Sequence, residues 1–142
     1  MNRYNQILAK LKERGHRITP QRLSILKILV TSDKHPSAEM IYDQIKRKFP
    51  VTSFATVYKT IGLVKELGEV LELEFSQDSN RYDGKKPYSH PHLICTNCKK
   101  IIDPDLDTIN HLEKQITLET GFHITNHRLD FFGVCPDCQA KD

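Results

Sequence analysis

Four cysteines stand in two pairs, Cys95-x-x-Cys98 and Cys135-x-x-Cys138. Each knuckle puts two thiolates on a tight turn, and two knuckles complete the tetrahedral sulfur set that Zn²⁺ prefers. The 36 residues between the pairs exceed the span of a simple zinc ribbon but are the size of one helix plus strands. An ion held there would tie the start of a domain to its end, supplying stability that a small core lacks. A redox pair is the alternative, but neither knuckle is expected to open a helix in a βαβ setting. With no export signal in the sequence, the thiols read as metal ligands before disulfides.

A second constellation, His90-Pro91-His92, lies just upstream of the first knuckle. In an extended stretch, residues two apart point the same way, so both imidazoles would face one site. Cys95 would then point to the other face, which favours two separate metal sites over one mixed cluster. Asp103, at the end of the next expected strand, is a candidate oxygen ligand in the same sheet. His35, in a loop before Pro36, and Asp83, at the end of an expected hairpin, are too distant in sequence for spacing to recruit. Left to spacing alone, they read equally as a loop histidine and a wing ion pair. His90, His92 and Asp103 around an ion with an open position could also serve a metallohydrolase. No adjacent general base or substrate pocket can be named for that chemistry.

The third constellation is basic. Residues 1–68 hold 13 Lys/Arg against 5 Asp/Glu, a local charge of +8, whereas the remainder holds 8 against 13, or −5. The front half therefore suits a polyanion, and the acidic remainder excludes one continuous nucleic-acid surface. A helix over Ser53–Leu67, with Val57, Ile61 and Val64 inward, turns Ala55 and Lys59 outward beside Thr56 and Tyr58. Such a helix can enter a major groove, Lys59 reaching phosphate or guanine and Tyr58 a thymine methyl or phosphate. Arg17 and Arg22 suit phosphate or minor-groove contact. The candidate DNA contacts are Arg17, Thr19, Arg22, Ser53, Thr56, Tyr58 and Lys59.

The elements that must position these groups follow from periodicity. Tyr4, Ile7, Leu8 and Leu11 predict a helix ending before Gly15. Thr19-Pro20 is a cap with proline at the first helical position, starting a second helix through Leu23, Leu26 and Val30. Ser37 caps a third, carrying Met40, Ile41 and Ile45 and ended by Pro50. The fourth starts at Ser53 and is closed by Gly68. Val70 to Phe75 then alternates, Ser76 to Asn80 is rich in turn formers, and Arg81-Tyr82-Asp83 returns, which predicts a β-hairpin. Helices followed by a hairpin make a winged helix-turn-helix, with the last helix before the hairpin as the reader. The short polar run Gly84-Lys85-Lys86-Pro87 contains both breakers and reads as a linker. Beyond it the sequence predicts strands over His92–Cys95, Lys100–Asp103 and Phe122–Val134. A helix over Asp107–Thr120 carries Ile109, Leu112, Ile116 and Leu118. The fold class is therefore α/β (α+β), with residues 1–84 as the winged-helix domain, 85–88 as a hinge linker and 89–142 as a small α/β domain. No apolar run approaches the ~18 residues of a membrane span, and no signal-type segment opens the chain, so the expected compartment is the cytoplasm.

These residues resemble a known family, the ferric uptake regulator (Fur) superfamily. The resemblance is carried by Arg17-Ile18-Thr19-Pro20-Gln21-Arg22, His35-Pro36-Ser37-Ala38-Glu39 followed by Ile41-Tyr42, and Ala55-Thr56-Val57-Tyr58-Lys59. It continues through His90-x-His92-Leu93-Ile94-Cys95-x-x-Cys98 and Asn126-His127-Arg128-Leu129, so it spans essentially the whole chain. It implies a homodimeric repressor of double-stranded DNA operators and not an enzyme, with residues 89–142 as the dimerisation domain. It implies one structural Zn²⁺ per subunit on Cys95, Cys98, Cys135 and Cys138. It also implies one regulatory Fe²⁺ or Mn²⁺ per subunit, held by His35, Asp83, His90, His92 and Asp103. Metal there would fix the interdomain angle and so the spacing of the two recognition helices.

Peroxide-sensing (PerR) members resemble this chain in carrying aspartate at the positions of Asp83 and Asp103, where iron-sensing members typically carry glutamate. The resemblance thus favours a peroxide sensor, in which iron-catalysed oxidation of His35 or His90 releases DNA and H₂O₂ is the signal. An iron-responsive repressor is the alternative within the family. A zinc-stapled interaction module is the alternative outside it, separated by whether the front half binds DNA. Many iron sensors have a further metal site that includes a histidine at the position of His127. Here Ser89, Pro91 and Asn110 stand where its other ligands would be, so that site is expected to be absent, or incomplete with His123.

Overall fold

The computed structural model describes residues 2–75 and 78–141. The chain divides into two compact units, Met1–Tyr88 and Ser89–Asp142. None of the helices among the described residues is long and apolar enough to cross a membrane.

The first unit contains α1 (Arg3–Glu13), α2 (Pro20–Thr31), α3 (Ala38–Lys48) and α4 (Phe54–Glu66), then β1 (Leu71–Leu73) and β2 (Arg81–Asp83). Each helix starts where a short polar side chain satisfies an amide that the helix leaves without a partner. Asn2 accepts from the Asn5 amide, Thr19 from Arg22, Ser37 from Met40 and Ser53 from Thr56. Helix α4 stops at Gly68, whose φ of 73° is open to glycine at no steric cost. There the Gly68 amide donates to Lys65 O and the Glu69 amide to Val64 O, the paired bonds that close a helix end.

One apolar face of each helix meets in a single core. Ile7 and Leu11 come from α1, Ile25, Leu26 and Leu29 from α2, Ile41 and Ile45 from α3, and Val57, Ile61 and Val64 from α4. Val70 and Tyr82 close it from the hairpin. Each fully buried aliphatic side chain contributes roughly 1.5–3 kcal/mol, which fixes how the helix faces are turned. Ala55, Tyr58 and Lys59 are consequently among the exposed residues of α4.

The hairpin pairs β1 and β2 antiparallel, with Leu71 opposite Asp83, Glu72 opposite Tyr82 and Leu73 opposite Arg81. Its ladder is shorter than the Val70–Phe75 alternation predicts, because the partner strand supplies only three residues. Of the expected turn, Ser76 and Gln77 lie outside the described residues.

The second unit contains β3 (His92–Cys95), β4 (Ile101–Ile102), α5 (Thr108–Thr120), β5 (Asp130–Gly133) and α6 (Pro136–Gln139). The sheet order is β4-β3-β5, antiparallel on the first pairing and parallel on the second. The strand expected over Phe122–Val134 is only four residues long. Its register runs from His92 opposite Asp130 to Cys95 opposite Gly133, so β5 ends where β3 offers no further partner. The expected Lys100–Asp103 strand contracts to Ile101–Ile102 for the same reason. Sequence reasoning also missed α6: Cys135 sits at its N-cap with Pro136 at the first position, so the second knuckle does open a short helix. The α6 segment is nevertheless not the βαβ crossover of a redox pair, since no strand follows it among the described residues.

Candidate metal centres and a candidate nucleic-acid face

The four cysteines arrive from both ends of the second unit. Cys95 ends β3, Cys98 lies in the turn beyond it, and Cys135 and Cys138 bracket the start of α6. Their sulfurs all lie within 4.8 Å of one another, and none is in a disulfide. Cys95 Sγ is 3.8 Å from Cys138 Sγ, and Cys98 Sγ is 3.8 Å from Cys135 Sγ. A tetrahedron with metal–sulfur bonds of ~2.3 Å has edges of about 3.8 Å, so the sulfurs have the spacing of a closed tetrahedral site.

Backbone geometry prepares the Cys95 thiol for deprotonation. The amides of Cys135 and Cys98 both donate to Cys95 Sγ at 3.4 Å. Those two backbone bonds pull the Cys95 thiol down to about 5, as donors to a thiolate should. Cys138 is pushed up to about 11, chiefly by its contact with the Cys135 thiol and then by burial. Four close sulfurs cannot all be anionic without a cation among them, and this donor set fits a soft-tolerant dication.

In the first unit, His35 and Asp83 form a buried pair with His35 Nε2 3.0 Å from Asp83 Oδ2. Asp83 ends β2, and its other oxygen, Oδ1, accepts the amides of Lys85 at 3.1 Å and Lys86 at 2.9 Å. The carboxylate thus turns the chain out of the hairpin with one oxygen and faces the imidazole with the other. Gly84 packs against α2 so closely that an added Cβ would lie 2.3 Å from the Leu29 carbonyl oxygen. Spacing could not join His35 to Asp83, but the hairpin's return does so by laying β2 beside residues 36–37: the Tyr82 amide donates to Pro36 O.

In the second unit, His90, His92 and Asp103 converge. Asp103 Oδ1 is 3.2 Å from His90 Nε2 and 3.6 Å from His92 Nε2, and the two imidazole centroids are 4.3 Å apart. The expected same-side placement of the two histidines is what the extended backbone produces. Asp130, missed at the sequence level, lies opposite His92 on β5 with its Oδ1 3.6 Å from His92 Nδ1, and Arg128 Nε donates to its Oδ2 at 2.9 Å. Only a knowledge of the parallel register could have found it. Two imidazoles and a carboxylate form a donor set suited to Fe²⁺ or Mn²⁺, and the His35–Asp83 pair offers the same chemistry.

His127 has a different partner from any that spacing suggested. Its Nδ1 lies 2.7 Å from Glu113 Oε1, tying the 122–129 segment to α5. Ser89, Pro91 and Asn110 supply no side chain suited to metal there.

Five of the seven candidate DNA residues share one cleft of the first unit. Arg17, Thr19, Arg22, Ser53 and Thr56 line a polar cleft of about 370 Å³ together with Gln21, Val51 and Thr52. The N-termini of α2 and α4 both open onto it, so unpaired helix amides and two guanidinium groups face the same space. Thr19 accepts from the Arg22 amide and Ser53 from the Thr56 amide, and the Ser53 and Thr56 hydroxyls are hydrogen-bonded to each other at 3.0 Å. Arg22 Nη1 donates to Arg17 O at 2.6 Å, fixing the loop before α2. Tyr58 and Lys59 are exposed farther along α4, with Tyr58 leaning on Phe54 at a centroid distance of 5.7 Å. Gln21, Val51 and Thr52 were not singled out from sequence, although their places beside two capping residues were the available signal.

Comparison with known proteins agrees with this layout. Residues 13–132 match the ferric uptake regulator family. The peroxide-responsive repressor PerR of Staphylococcus aureus is 40% identical over 134 residues, covering 94% of this chain and 90% of the relative. The structure of the Helicobacter pylori ferric uptake regulator Fur, which has three functional metal-binding sites, superposes with a TM-score of 0.85 at 26% identity. It covers 97% of this chain and 95% of that one. PerR from Streptococcus pyogenes gives a TM-score of 0.57 at 34% identity, over 98% of this chain and 95% of that one. The chain belongs to the ferric uptake regulator family, whose members are transcriptional regulators that bind DNA operators and dimerise, not enzymes.

Proposed function

We propose that the protein is a zinc-stapled homodimeric repressor of the cytoplasm that binds double-stranded DNA when Fe²⁺ or Mn²⁺ is bound and releases it on exposure to hydrogen peroxide. The observation that carries this reading is the pair of imidazole–carboxylate clusters, His35–Asp83 and His90–His92–Asp103, with aspartate supplying the carboxylate in each. The 40% identity to a staphylococcal peroxide-responsive repressor supports the same branch.

In this reading Cys95, Cys98, Cys135 and Cys138 hold one structural Zn²⁺, whose sulfur spacing already fits. His35 and Asp83 from the first unit join His90, His92 and Asp103 from the second as ligands of one regulatory ion. Bound Fe²⁺ would supply one-electron reduction of peroxide, whereas Mn²⁺ would serve the structural role alone. The protein's own residues do the rest. Asp83 Oδ1 stays on the amides of residues 85 and 86 while Oδ2 is offered as a ligand, so a ligand set including Asp83 fixes where the linker leaves the hairpin. In this reading His35 or His90 is the side chain oxidised, and an imidazole carrying an added oxygen is a poorer ligand. Loss of either would free the linker and the spacing of the two DNA-binding faces.

Dimerisation rests on the second unit. Helix α5 buries none of its residues within the chain: Leu118 is 86% exposed, and Leu112 and Ile116 stand open beside it. On β5, Phe132 is 61% exposed. Apolar positions in helical and strand register that the chain itself does not cover fit a twofold partner of the same sequence. On the DNA side, the α2–α4 cleft would take backbone phosphate through Arg17, Thr19, Arg22, Ser53 and Thr56. Tyr58 and Lys59 of α4 would enter the major groove.

The test is anaerobic DNA binding by zinc-replete protein loaded with Fe²⁺ or Mn²⁺, before and after low peroxide. The duplex would be one selected from a random library by the Mn²⁺ form. Loss of binding in the iron form alone, with one oxygen added to the peptide containing His35 or His90, is the expected result. Binding that tracks free Fe²⁺ but survives peroxide would replace this reading with an iron-responsive repressor. No selection of DNA by either form would remove the repressor reading altogether.

A further inference from the structure

The loop between α2 and α3 holds His35 at φ 50°, in the left-handed region that few non-glycine residues occupy. Among the interactions of β2, two act on this loop from one strand face, since residues 81 and 83 alternate to the same side. Asp83 faces the His35 ring, with Oδ2 3.0 Å from Nε2. Arg81 takes the backbone: its Nε donates to His35 O and its Nη2 donates to Lys34 O, the latter at 2.7 Å. The intervening Tyr82 points into the core while its amide donates to Pro36 O, and Ser37 bridges Arg81 across an antiparallel pair.

A planar guanidinium spanning two consecutive carbonyls fixes the two peptide planes on either side of the residue between them, here the Lys34–His35 and His35–Pro36 peptides. The relative orientation of those two planes about the His35 Cα restrains its φ and with it the direction of the Cα–Cβ bond. A lysine ammonium at position 81 would be a point donor with no fork, able to reach one carbonyl but not to set a plane. Arg81 therefore has the geometry to decide where the His35 imidazole lies relative to Asp83, through the backbone carbonyls it holds.

We propose that Arg81 is a positioning residue of the regulatory site: by gripping the Lys34 and His35 carbonyls it holds His35 in its left-handed conformation and so delivers the imidazole beside Asp83. This rests on the reading of His35 as a metal ligand. Supporting groups of this kind around a metal ligand typically change metal affinity by 10–100-fold when removed.

The experiment measures Mn²⁺ affinity of the full-length zinc-replete protein by competition with a fluorescent chelator, for wild type, R81A, R81K, H35A and the R81A/H35A and R81K/H35A doubles. R81A is expected to weaken Mn²⁺ by roughly 10–100-fold, and R81K is expected to restore only part of that. In the H35A background neither change at position 81 should weaken binding further, because Arg81 acts through His35. The His35 ring resonances of the Mn²⁺-free protein should move in R81A while those of His127 stay. Wild-type affinity in R81A, or equal losses in both backgrounds, overturns the proposal. If R81A does not fold, the R81K pair decides in the same way. Wild-type Mn²⁺ affinity in H35A would instead overturn His35 as a ligand, a separate failure.

Discussion

Replacing Gly84 with alanine sets two effects of opposite sign against each other, and the structure says which wins. Gly84 does not adopt the left-handed region, so alanine carries no backbone penalty there. Through the unfolded chain alone, a compatible Gly→Ala exchange stabilises by about 0.4–1 kcal/mol. Against this, the new Cβ would sit 2.3 Å from Leu29 O and 2.7 Å from Leu29 C, both backbone atoms of α2 that cannot rotate away. Ordinary contact lies near 3.5 Å, so the linker or the helix must move by about 1 Å. Overpacking of this kind costs about 1–3 kcal/mol, and a backbone obstacle puts it at the upper end. The net expectation is a loss of roughly 2 kcal/mol, or about 8–16 °C in Tm for a unit of this size. Gly62→Ala is the internal control. It lies within α4 with nothing within 4 Å of its added Cβ, so it should stabilise by about 0.5–1 kcal/mol. Thermal unfolding of both variants followed by far-UV circular dichroism reads the difference. Since Gly84 adjoins Asp83, G84A should also weaken Mn²⁺ binding while G62A leaves it unchanged. A G84A protein as stable as G62A would refute the packing of the linker onto α2 and the placement of Asp83 that depends on it.

Glu69 is held below the usual carboxylate range chiefly by its hydrogen bond from Lys10, with Arg3 adding to it. A depressed folded-state value means that its contribution is present above the ordinary value of 4.5 and is lost as pH falls through the folded one. Unfolding scans from neutral to about pH 3 should therefore show a gentler acid decline in E69Q than in wild type. The partly exposed Lys10 partner keeps the neutral-pH cost small. An identical acid limb would count against the Arg3–Glu69–Lys10 network. Arg22→Ala should weaken DNA binding about equally across sequences and reduce the salt slope by about 1, as loss of one phosphate contact does. A change confined to one base position would assign Arg22 to base reading instead. Cys138→Ser should cost zinc and the dimer together in sedimentation and metal analysis, and a folded zinc-free dimer would refute the staple. Asp103→Glu should keep metal-dependent DNA binding but blunt the peroxide response in the iron form. Undiminished peroxide sensitivity would show that the aspartate is not what sets the branch.

What was legible in the sequence was whatever is decided within a few residues. Thr19, Ser37 and Ser53 announce helix starts because a cap acts on an amide three residues on. The inward faces of α4 and the shared side of His90 and His92 follow from local periods in the same way. Strand length is not local. The strand expected over Phe122–Val134 extends well beyond Asp130–Gly133, but a strand can run only as far as its neighbour, and β3 supplies four residues. Helix α5 makes the same point about burial: of its four apolar positions, Leu112, Ile116 and Leu118 stay exposed among the described residues. A hydrophobic pattern specifies that a surface wants a partner and leaves open whether the partner is the same molecule.

The metal-site residues divide along the same line. Cys95 with Cys98, Cys135 with Cys138 and His90 with His92 are short-range pairs, and their chemistry is visible as spacing. The His35–Asp83 pair is a product of topology, because a loop after α2 meets a hairpin strand 46 residues later only once the core has set both. Residue types at those positions became meaningful through resemblance to a family, which encodes the contact without deriving it. Arg81 and Asp130 lie one step further out: each supports a histidine found by other means, and each is an ordinary charged residue in the sequence. Their significance comes from the register of β2 against the α2–α3 loop and of β5 against β3. Supporting residues of a site are harder to read than ligands because ligand chemistry constrains residue type, whereas support constrains only a position that many types could fill.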